Sequence, residues 1–403
     1  MKIYLSKIQP ILVGILIYLN IQPYFIWQFI SMPYFKLGLD MLTLALFWYN
    51  LKNISRNTLP AFILFTFTLL LMAFLNGLNL FGIFAVVLLA AIPFVKEQFL
   101  KMSYVYFRNI YAMIMLFSLV VFLLLILGTP IPYNIIPPLN ELKPYDYTAY
   151  PFFVIPGYGL SAVTQLGRFC GPFDEPGVVG TIGAVLLYIE KFNLKKWQNI
   201  IILISGLISF SLFFYLATLI FAVYFVVVSN SRFIIKLLTV IGLIFLLFFS
   251  FQNEDMNDYI WSRVQWDSEK STIVGDNRAL DDLESYFNKI QGTKVFYWGL
   301  GLIDKNLMKS FDNSAGYRNA ILRYGFVGSA LYCLFFFLFA YKQIGYRREY
   351  LLFLLIFIIT LYQRPGLLVI HYIYLFVVFI MLNSKRELLN ELKQSVLKEG
   401  TLR

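Results

Sequence analysis

Long, unbroken apolar runs alternate with short polar segments along the chain. The runs reach the roughly 20 residues that a helix needs to cross a bilayer, and they lack the strict alternation of membrane β-strands. Two long runs break internally, at Ser209-Phe210-Ser211 and at Gln363-Arg364-Pro365-Gly366, and each break predicts two short spans instead of one. The pattern therefore predicts an all-α, polytopic integral membrane protein with about twelve transmembrane helices.

Composition supports this class of protein. The 403 residues are 60% hydrophobic and only 14% charged, and the mean hydropathy is +0.72. So apolar a chain cannot be hidden inside a soluble globule. The first residues have the positive start of a signal peptide without a small-residue cleavage site, which predicts a retained first span. We expect residues 1–403 to form a single membrane domain.

The net charge of +11 comes from short basic patches between the apolar runs, which argues against a nucleic-acid partner. By the positive-inside rule these patches face the cytoplasm. Both termini are then cytoplasmic, with a tail at about residues 384–403. The patches are Lys2/Lys7, Lys52/Arg56, Lys96/Lys101/Arg108, Lys191/Lys195/Lys196, Arg232/Lys236, Lys342/Arg347/Arg348 and the basic residues of the tail.

Two large outward loops are predicted, at about residues 129–173 and 252–313. The first loop is rich in proline and tyrosine, so we expect it to be extended and turn-bound rather than helical. The second loop is long, polar and mainly acidic. Within it, apolar residues at helical spacing predict an amphipathic helix that lies on the membrane or on other spans; they are Leu280, Leu283, Phe287 and Ile290.

Several kinds of chemistry are excluded on the outer face. One histidine and two separated cysteines cannot supply a closed zinc site, and no GxSxG motif indicates a serine triad. The short glycine pattern Gly299–Gly301 is not a nucleotide-binding loop, because no ATP is present outside. His371 lies within a predicted span, where it is either a satisfied interior histidine or a proton-transfer group.

Arginines and carboxylates remain as candidates, above all in the segment RFCGPFDEPG from Arg168 to Gly177. Guanidinium groups match phosphate oxygens and keep their charge, so arginines that converge on one site favour a polyanionic ligand such as a lipid pyrophosphate. The alternative is that each arginine is an interfacial anchor. Asp174 and Glu175 are either helix caps or catalysts, with Glu175 the candidate base that accepts a proton from a sugar hydroxyl. Arg168 is expected to open the span that follows it. The outward arginines are Arg168, Arg278, Arg318, Arg323 and Arg364.

The motifs resemble a known family. The pattern RFxGxFxEPxxxG, followed by short spans broken at Ser-x-Ser, resembles the Wzy-type O-antigen and capsule polymerases of the O-antigen ligase/polymerase superfamily. In the second outward loop NRALDD, FYWGLGL and the Asp312-Asn313 segment agree, as does RYGFVG at Arg323 to Gly328. The similarity covers roughly Arg168 to Gly366 at the level of motifs.

This resemblance implies a metal-independent glycosyltransferase of the C-type fold in the bacterial inner membrane, with no cofactor. Its donor and acceptor would be undecaprenyl-diphosphate-linked oligosaccharides, and the growing glycan would pass to the non-reducing end of a lipid-linked repeat unit. Arg168 and Arg278 would hold the donor pyrophosphate, with Arg318 or Arg364 sharing that role. A chain-length regulator, the flippase of the pathway and membrane lipids are further candidate partners. Candidate substrate-binding residues are Asp312, Asn313, Tyr317, Arg323 and His371.

Two other functions stay open. An O-antigen ligase would join finished glycan to the lipid A core, but ligases of this kind carry a histidine just before the span that follows the second loop. The stretch DNSAGYRNAILRYG contains none, which favours a polymerase. A flippase or transporter of lipid-linked sugars would be expected to show two similar halves with broken spans at matching positions, whereas the long outward loops here crowd into the second half.

Overall fold

The computed structural model describes residues 2–30, 32, 34–52, 56, 58–77, 80–138, 145–157, 168–228, 266–267, 272–273, 281–301, 303–304, 307–308, 311, 316–364 and 366–384. Over these residues the chain is mostly helical, as predicted. The α-helices are α1 Lys2–Leu19, α2 Trp27–Ile30, α3 Phe35–Tyr49, α4 Leu59–Leu75, α5 Leu80–Leu89, α6 Glu97–Ile126, α7 Pro176–Ile189, α8 Trp197–Ile208, α9 Leu212–Val228, α10 Asp281–Ile290, α11 Lys294–Trp298, α12 Tyr317–Gln343, α13 Arg347–Gln363 and α14 Ile370–Leu382. Short 3₁₀ helices cover Tyr24–Ile26 and Ile92–Phe94.

The described part of the first outward loop is extended, as predicted, but its strands also pair. Strands β1 Asn134–Ile136, β2 Tyr147–Tyr150 and β3 Phe153–Pro156 form a three-stranded antiparallel sheet. Ile135 pairs with Thr148, and Tyr150 pairs with Phe153. Two further strands, β4 Trp266–Asp267 and β5 Thr272–Ile273, form a small hairpin. The described residues are therefore mostly helical, as the predicted all-α class requires, but they also contain a few short strands that the sequence did not predict.

Two of the described helices, α6 and α12, are long and apolar enough to cross a membrane. The pair Ile8–Leu19 and Tyr24–Ile30 bends by 93° and makes a third if its two parts act as one span. Helices α4, α7, α8, α9 and α14 are apolar but shorter.

The chain forms two compact units. One comprises Met1–Pro10, Asp40–Tyr104 and Leu280–Arg403; we call it the outer-sequence unit. Its α14 is buried from Ile370 to Met381, as suits a helix that is apolar on all sides. Here Phe376 packs edge-on against Phe336 of α12 with ring centroids 5.9 Å apart.

The other unit comprises Ile11–Leu39 and Val105–Ala279; we call it the mid-sequence unit. Its buried helix is α7, on which α8 and α9 pack. Small residues allow these helices to approach closely: a Cβ added at Gly180 would lie 2.3 Å from the Cβ of Ser211, and one at Gly183 would lie 3.4 Å from Ile202.

Three local predictions are confirmed. Helix α8 ends at Ile208 and α9 begins at Leu212, so the run breaks at Ser209-Phe210-Ser211. Helix α13 ends at Gln363 and α14 begins at Ile370, which is the predicted turn. The amphipathic pattern forms α10, in which Leu283, Phe287 and Ile290 are buried; Leu280 lies outside the described residues.

Candidate functional site

The segment from Arg168 to Glu175 is not helical, and backbone hydrogen bonds hold it to three neighbouring parts of the mid-sequence unit. Each bond joins an N–H group to a carbonyl across a long sequence separation, which defines the path of a segment that has no regular structure of its own. The bonds are Phe169 N–H to Ile208 O at 3.1 Å, Val154 N–H to Gly171 O at 2.9 Å and Tyr24 N–H to Pro172 O at 2.8 Å.

Arg168 lies half-buried against the carboxyl end of α8. Its Nε donates to the carbonyl of Ser209 at 3.3 Å and its Nη2 to the carbonyl of Phe210 at 3.1 Å. The last carbonyls of a helix have no intrahelical donor and carry partial negative charge, so a guanidinium is favoured there. The sequence predicts that Arg168 opens the following span, but α7 begins only at Pro176. Arg168 instead ties the 168–175 segment to the break between α8 and α9.

Glu175 occupies the N-cap position of α7, with extended backbone angles (φ −145°, ψ 140°) and Pro176 directly after it. Its side chain makes no capping hydrogen bond to the helix, so capping in the strict sense does not account for the carboxylate. The carbonyl of Asp174 accepts a hydrogen bond of 2.9 Å from the Tyr147 hydroxyl. Burial raises the pKa of Tyr147, which keeps this donor protonated and holds the backbone just before the cap.

A second group of predicted residues lies in the outer-sequence unit, where the start of α12 meets the end of α13. The rings of Tyr317 and Tyr362 stack with centroids 5.5 Å apart and an interplanar angle of 21°. The guanidinium carbon of Arg318 lies 5.3 Å from the centroid of the Tyr317 ring, within cation–π range. Arg364 follows two residues after Tyr362 and donates its backbone N–H to Thr360 O at 2.8 Å. The fold thus brings Arg318 and Arg364 to the same end of one helix pair.

Arg323, one of the predicted substrate-binding residues, makes a defined intrahelical contact. Its Nε donates to Asn319 Oδ1 at 2.8 Å, and Asn319 Nδ2 donates to Phe311 O at 3.2 Å. This chain of hydrogen bonds ties the second turn of α12 to the segment before it. Arg323 therefore supports the local fold around Tyr317.

The glycine motifs FYWGLGL and RYGFVG meet, and they serve close backbone packing. Gly325 interrupts α12 with φ 70° and ψ 160°, angles that only glycine adopts readily. A Cβ at Gly325 would lie 2.3 Å from the carbonyl oxygen of Tyr297, and one at Gly299 would lie 3.0 Å from the oxygen of Arg323. The N–H of Leu300 donates to the carbonyl of Leu322, in the same part of α12, at 2.7 Å. Sequence reasoning excluded a nucleotide loop at Gly299 but did not foresee this contact.

His371 is the second residue of α14 and is 9% exposed. Its ring centroid lies 4.6 Å from that of Tyr372. The Tyr372 ring also covers Gly366, because a Cβ there would lie 2.4 Å from the ring. His371 therefore lies at the start of the buried helix, just after the turn that contains Arg364.

Three of the predicted site residues, Arg278, Asp312 and Asn313, lie outside the described residues. Of the others, Arg168, Asp174 and Glu175 belong to the mid-sequence unit. Tyr317, Arg318, Arg323, Arg364 and His371 belong to the outer-sequence unit.

Sequence reasoning missed a buried ionic cluster in the mid-sequence unit. Arg108 Nη1 lies 2.6 Å from Glu190 Oε1, and Lys196 Nζ lies 2.5 Å from Glu190 Oε2. The side chains of Arg108 and Glu190 are only 8% and 7% exposed. In the sequence, Arg108 and Lys196 indicate only topology. The signal that points to the cluster is an acidic residue, Glu190, beside a basic patch.

Comparison with protein-family models, with curated proteins and with solved structures finds no match to this chain.

Proposed function

We propose that this chain is a membrane-embedded glycosyltransferase of the Wzy type, an O-antigen or capsule polymerase. It would transfer a growing glycan from undecaprenyl diphosphate to the non-reducing end of a lipid-linked repeat unit at the periplasmic face. The proposal includes about twelve spans, two periplasmic loops and cytoplasmic termini in a bacterial inner membrane. Its support is the motif resemblance together with the local geometry of the segments that carry the motifs.

The observation that carries the proposal is the placement of Arg168 and Glu175 on one anchored segment directly before the buried helix α7. Two carbonyls orient the Arg168 guanidinium. Glu175 holds the N-cap position without a capping hydrogen bond from its side chain. The first N–H groups of a helix attract anions, so a cation, a carboxylate and a helix start are combined within the nine residues from Arg168 to Pro176. Such a set suits a pyrophosphate leaving group and a hydroxyl nucleophile.

The proposed reaction breaks the bond between the donor's anomeric carbon and the pyrophosphate oxygen, and the electron pair stays on that oxygen. The acceptor hydroxyl forms the new bond to the anomeric carbon and gives its proton to Glu175, with Asp174 the other candidate base. Arg168 and Arg278 stabilise the charge that develops on the departing pyrophosphate. Arg318 and Arg364 are further candidates for that role.

Deletion of the gene, followed by gel analysis of surface lipopolysaccharide, tests the proposal. A polymerase mutant should leave core capped with a single repeat unit. Bare core with accumulated lipid-linked polymer would indicate a ligase, and bare core without that polymer would indicate a flippase. An unaltered long-chain ladder would overturn the polymerase proposal. In a capsule-producing host, the amount of capsule is measured instead.

Complementation with point variants then tests the proposed roles. Glu175→Gln keeps the size of the side chain but removes the base, so we expect loss of polymer with normal amounts of protein in the membrane. Lys195→Gln, an exposed change in another loop, is the matched control and should restore the full ladder. Normal polymer from Glu175→Gln would exclude Glu175 as the base.

A further inference from the structure

A cavity of about 250 Å³ lies within the outer-sequence unit, between helices α4, α12 and α14 and the 3₁₀ turn Ile92–Phe94. Most of its wall is apolar. Ligand pockets for whole small molecules usually measure roughly 300–1,000 Å³, so this volume suits part of a chain-like ligand. The apolar lining residues are Pro60, Ala61, Leu64, Pro93, Phe94, Phe335, Leu338, Phe339 and Met381.

The charged residues of the lining are both lysines. Lys52 and Lys342 both line the cavity, beside Thr58 and Gln343, and the described lining residues include no aspartate or glutamate. Charge complementarity therefore favours an anionic ligand group.

Both lysines are positioned by the backbone around them. The N–H of Lys52 donates to Phe94 O at 2.9 Å, and Leu51 bridges to Val95, so Lys52 is fixed beside the 3₁₀ turn that forms one wall. Lys342 lies in the last turn of α12. The chain passes there from an apolar helix to a polar segment. Lysines at the ends of membrane helices can extend to lipid headgroups.

An apolar pocket lined by two lysines matches an amphiphile that joins a hydrocarbon chain to a phosphate. Apolar cavities of this kind exclude water and accept hydrocarbon, and basic pockets between membrane helices bind anionic headgroups. We propose that this cavity binds one acyl chain of an anionic phospholipid, with its phosphate against Lys52 and Lys342. This site is independent of the proposed transfer reaction.

Native mass spectrometry of the full-length protein in mild detergent tests the proposal with defined lipids. We expect phosphatidylglycerol to bind at least about tenfold more tightly than phosphatidylethanolamine. The double variant Lys52→Gln/Lys342→Gln should lose about tenfold in phosphatidylglycerol affinity. The matched control Lys195→Gln/Lys289→Gln removes the same charge from exposed positions and should bind as the wild type does.

A second pair of variants tests the apolar part of the site. Ala61→Trp and, as a smaller change, Leu64→Phe fill the cavity and keep both lysines, so each should weaken phosphatidylglycerol binding. Thermal unfolding in detergent verifies that every variant is folded. Inorganic phosphate, used as a separate probe, should bind at least tenfold more weakly than the lipid.

Three results would overturn the inference. Equal loss of binding in the matched control would show a general charge effect. Unchanged binding in both cavity-filling variants would show that no acyl chain enters. Equal binding of inorganic phosphate and phosphatidylglycerol would leave a phosphate site without a lipid.

Discussion

Replacing Glu190 with glutamine should destabilise the protein by about 3–5 kcal/mol, the usual cost of removing one partner from a buried ion pair. The Arg108 side chain is only 8% exposed and lies 2.6 Å from the Glu190 carboxylate. Glutamine keeps the shape and one acceptor oxygen, but it leaves the Arg108 charge buried without a compensating anion.

The matched control is Lys196→Gln, which changes the other partner of the same carboxylate. Lys196 lies 2.5 Å from Glu190, but its side chain is 43% exposed. Water screens such a charge, so its loss should cost no more than about 1 kcal/mol. The double variant Arg108→Met/Glu190→Gln should be more stable than Glu190→Gln alone, because it also removes the buried positive charge of Arg108 that Glu190→Gln leaves uncompensated.

The dependence on pH provides an independent check. Burial, the largest influence on Glu190, acts to raise the pKa of its carboxyl, but the hydrogen bonds and charges of Lys196 and Arg108 together lower it below the ordinary value of 4.5. The carboxylate therefore contributes its full stabilisation above pH 4.5. This contribution disappears as the pH falls through the lowered pKa that Glu190 has in the folded protein. The stability difference between wild type and Glu190→Gln should shrink in that acidic range.

The assay is chemical denaturation in detergent micelles at several pH values, followed by tyrosine and tryptophan fluorescence. The reasoning would be refuted if Glu190→Gln cost no more than Lys196→Gln at neutral pH. It would also be refuted if the difference between wild type and Glu190→Gln stayed constant down to the acid limit of the folded protein.

Three further predictions test the packing and the candidate site. Gly325→Ala should lower the free energy of unfolding by about 3 kcal/mol or more, since its Cβ would lie 2.3 Å from a backbone oxygen. Gly328→Ala should change it by no more than about 1 kcal/mol, because the new Cβ meets the side chain of a methionine. Unfolding in detergent measures both changes. Gly180→Ala should lower the free energy of unfolding by about 2–3 kcal/mol. The added change Ser211→Gly should restore at least half of that loss, because it removes the two side-chain atoms that would lie 2.3 and 2.4 Å from the new Cβ. Failure of this rescue in the same unfolding assay would contradict the packing. Arg168→Lys should lower the unfolding temperature by several degrees, because an ammonium group lacks the planar pair of N–H donors with which a guanidinium reaches two carbonyls. An unchanged melting curve would mean that these hydrogen bonds contribute little to stability.

Local signals predicted the elements whose causes are local. The break at Ser209-Phe210-Ser211 and the helix Asp281–Ile290 followed from composition and spacing within single segments. The extended character of the proline-rich loop also followed, because proline restricts the backbone wherever it occurs. The pairing of its strands did not follow, since Ile135 and Thr148 are joined by a register that only tertiary packing selects.

The same distinction between local sequence and tertiary packing holds for the candidate site. The sequence by itself determined which residue types stand before α7 and at the ends of α12 and α13, and that long apolar runs place the chain in a membrane. Only the tertiary structure decided that Arg168 binds carbonyls at Ser209 and Phe210, and that Glu190 pairs with Arg108. The physical reason is distance along the chain: helix periodicity and turn chemistry act over a few residues, whereas hydrogen bonds and ion pairs between remote segments depend on how helices pack. That packing rests on close approaches at single glycines, whose neighbours in space are not encoded by their neighbours in sequence.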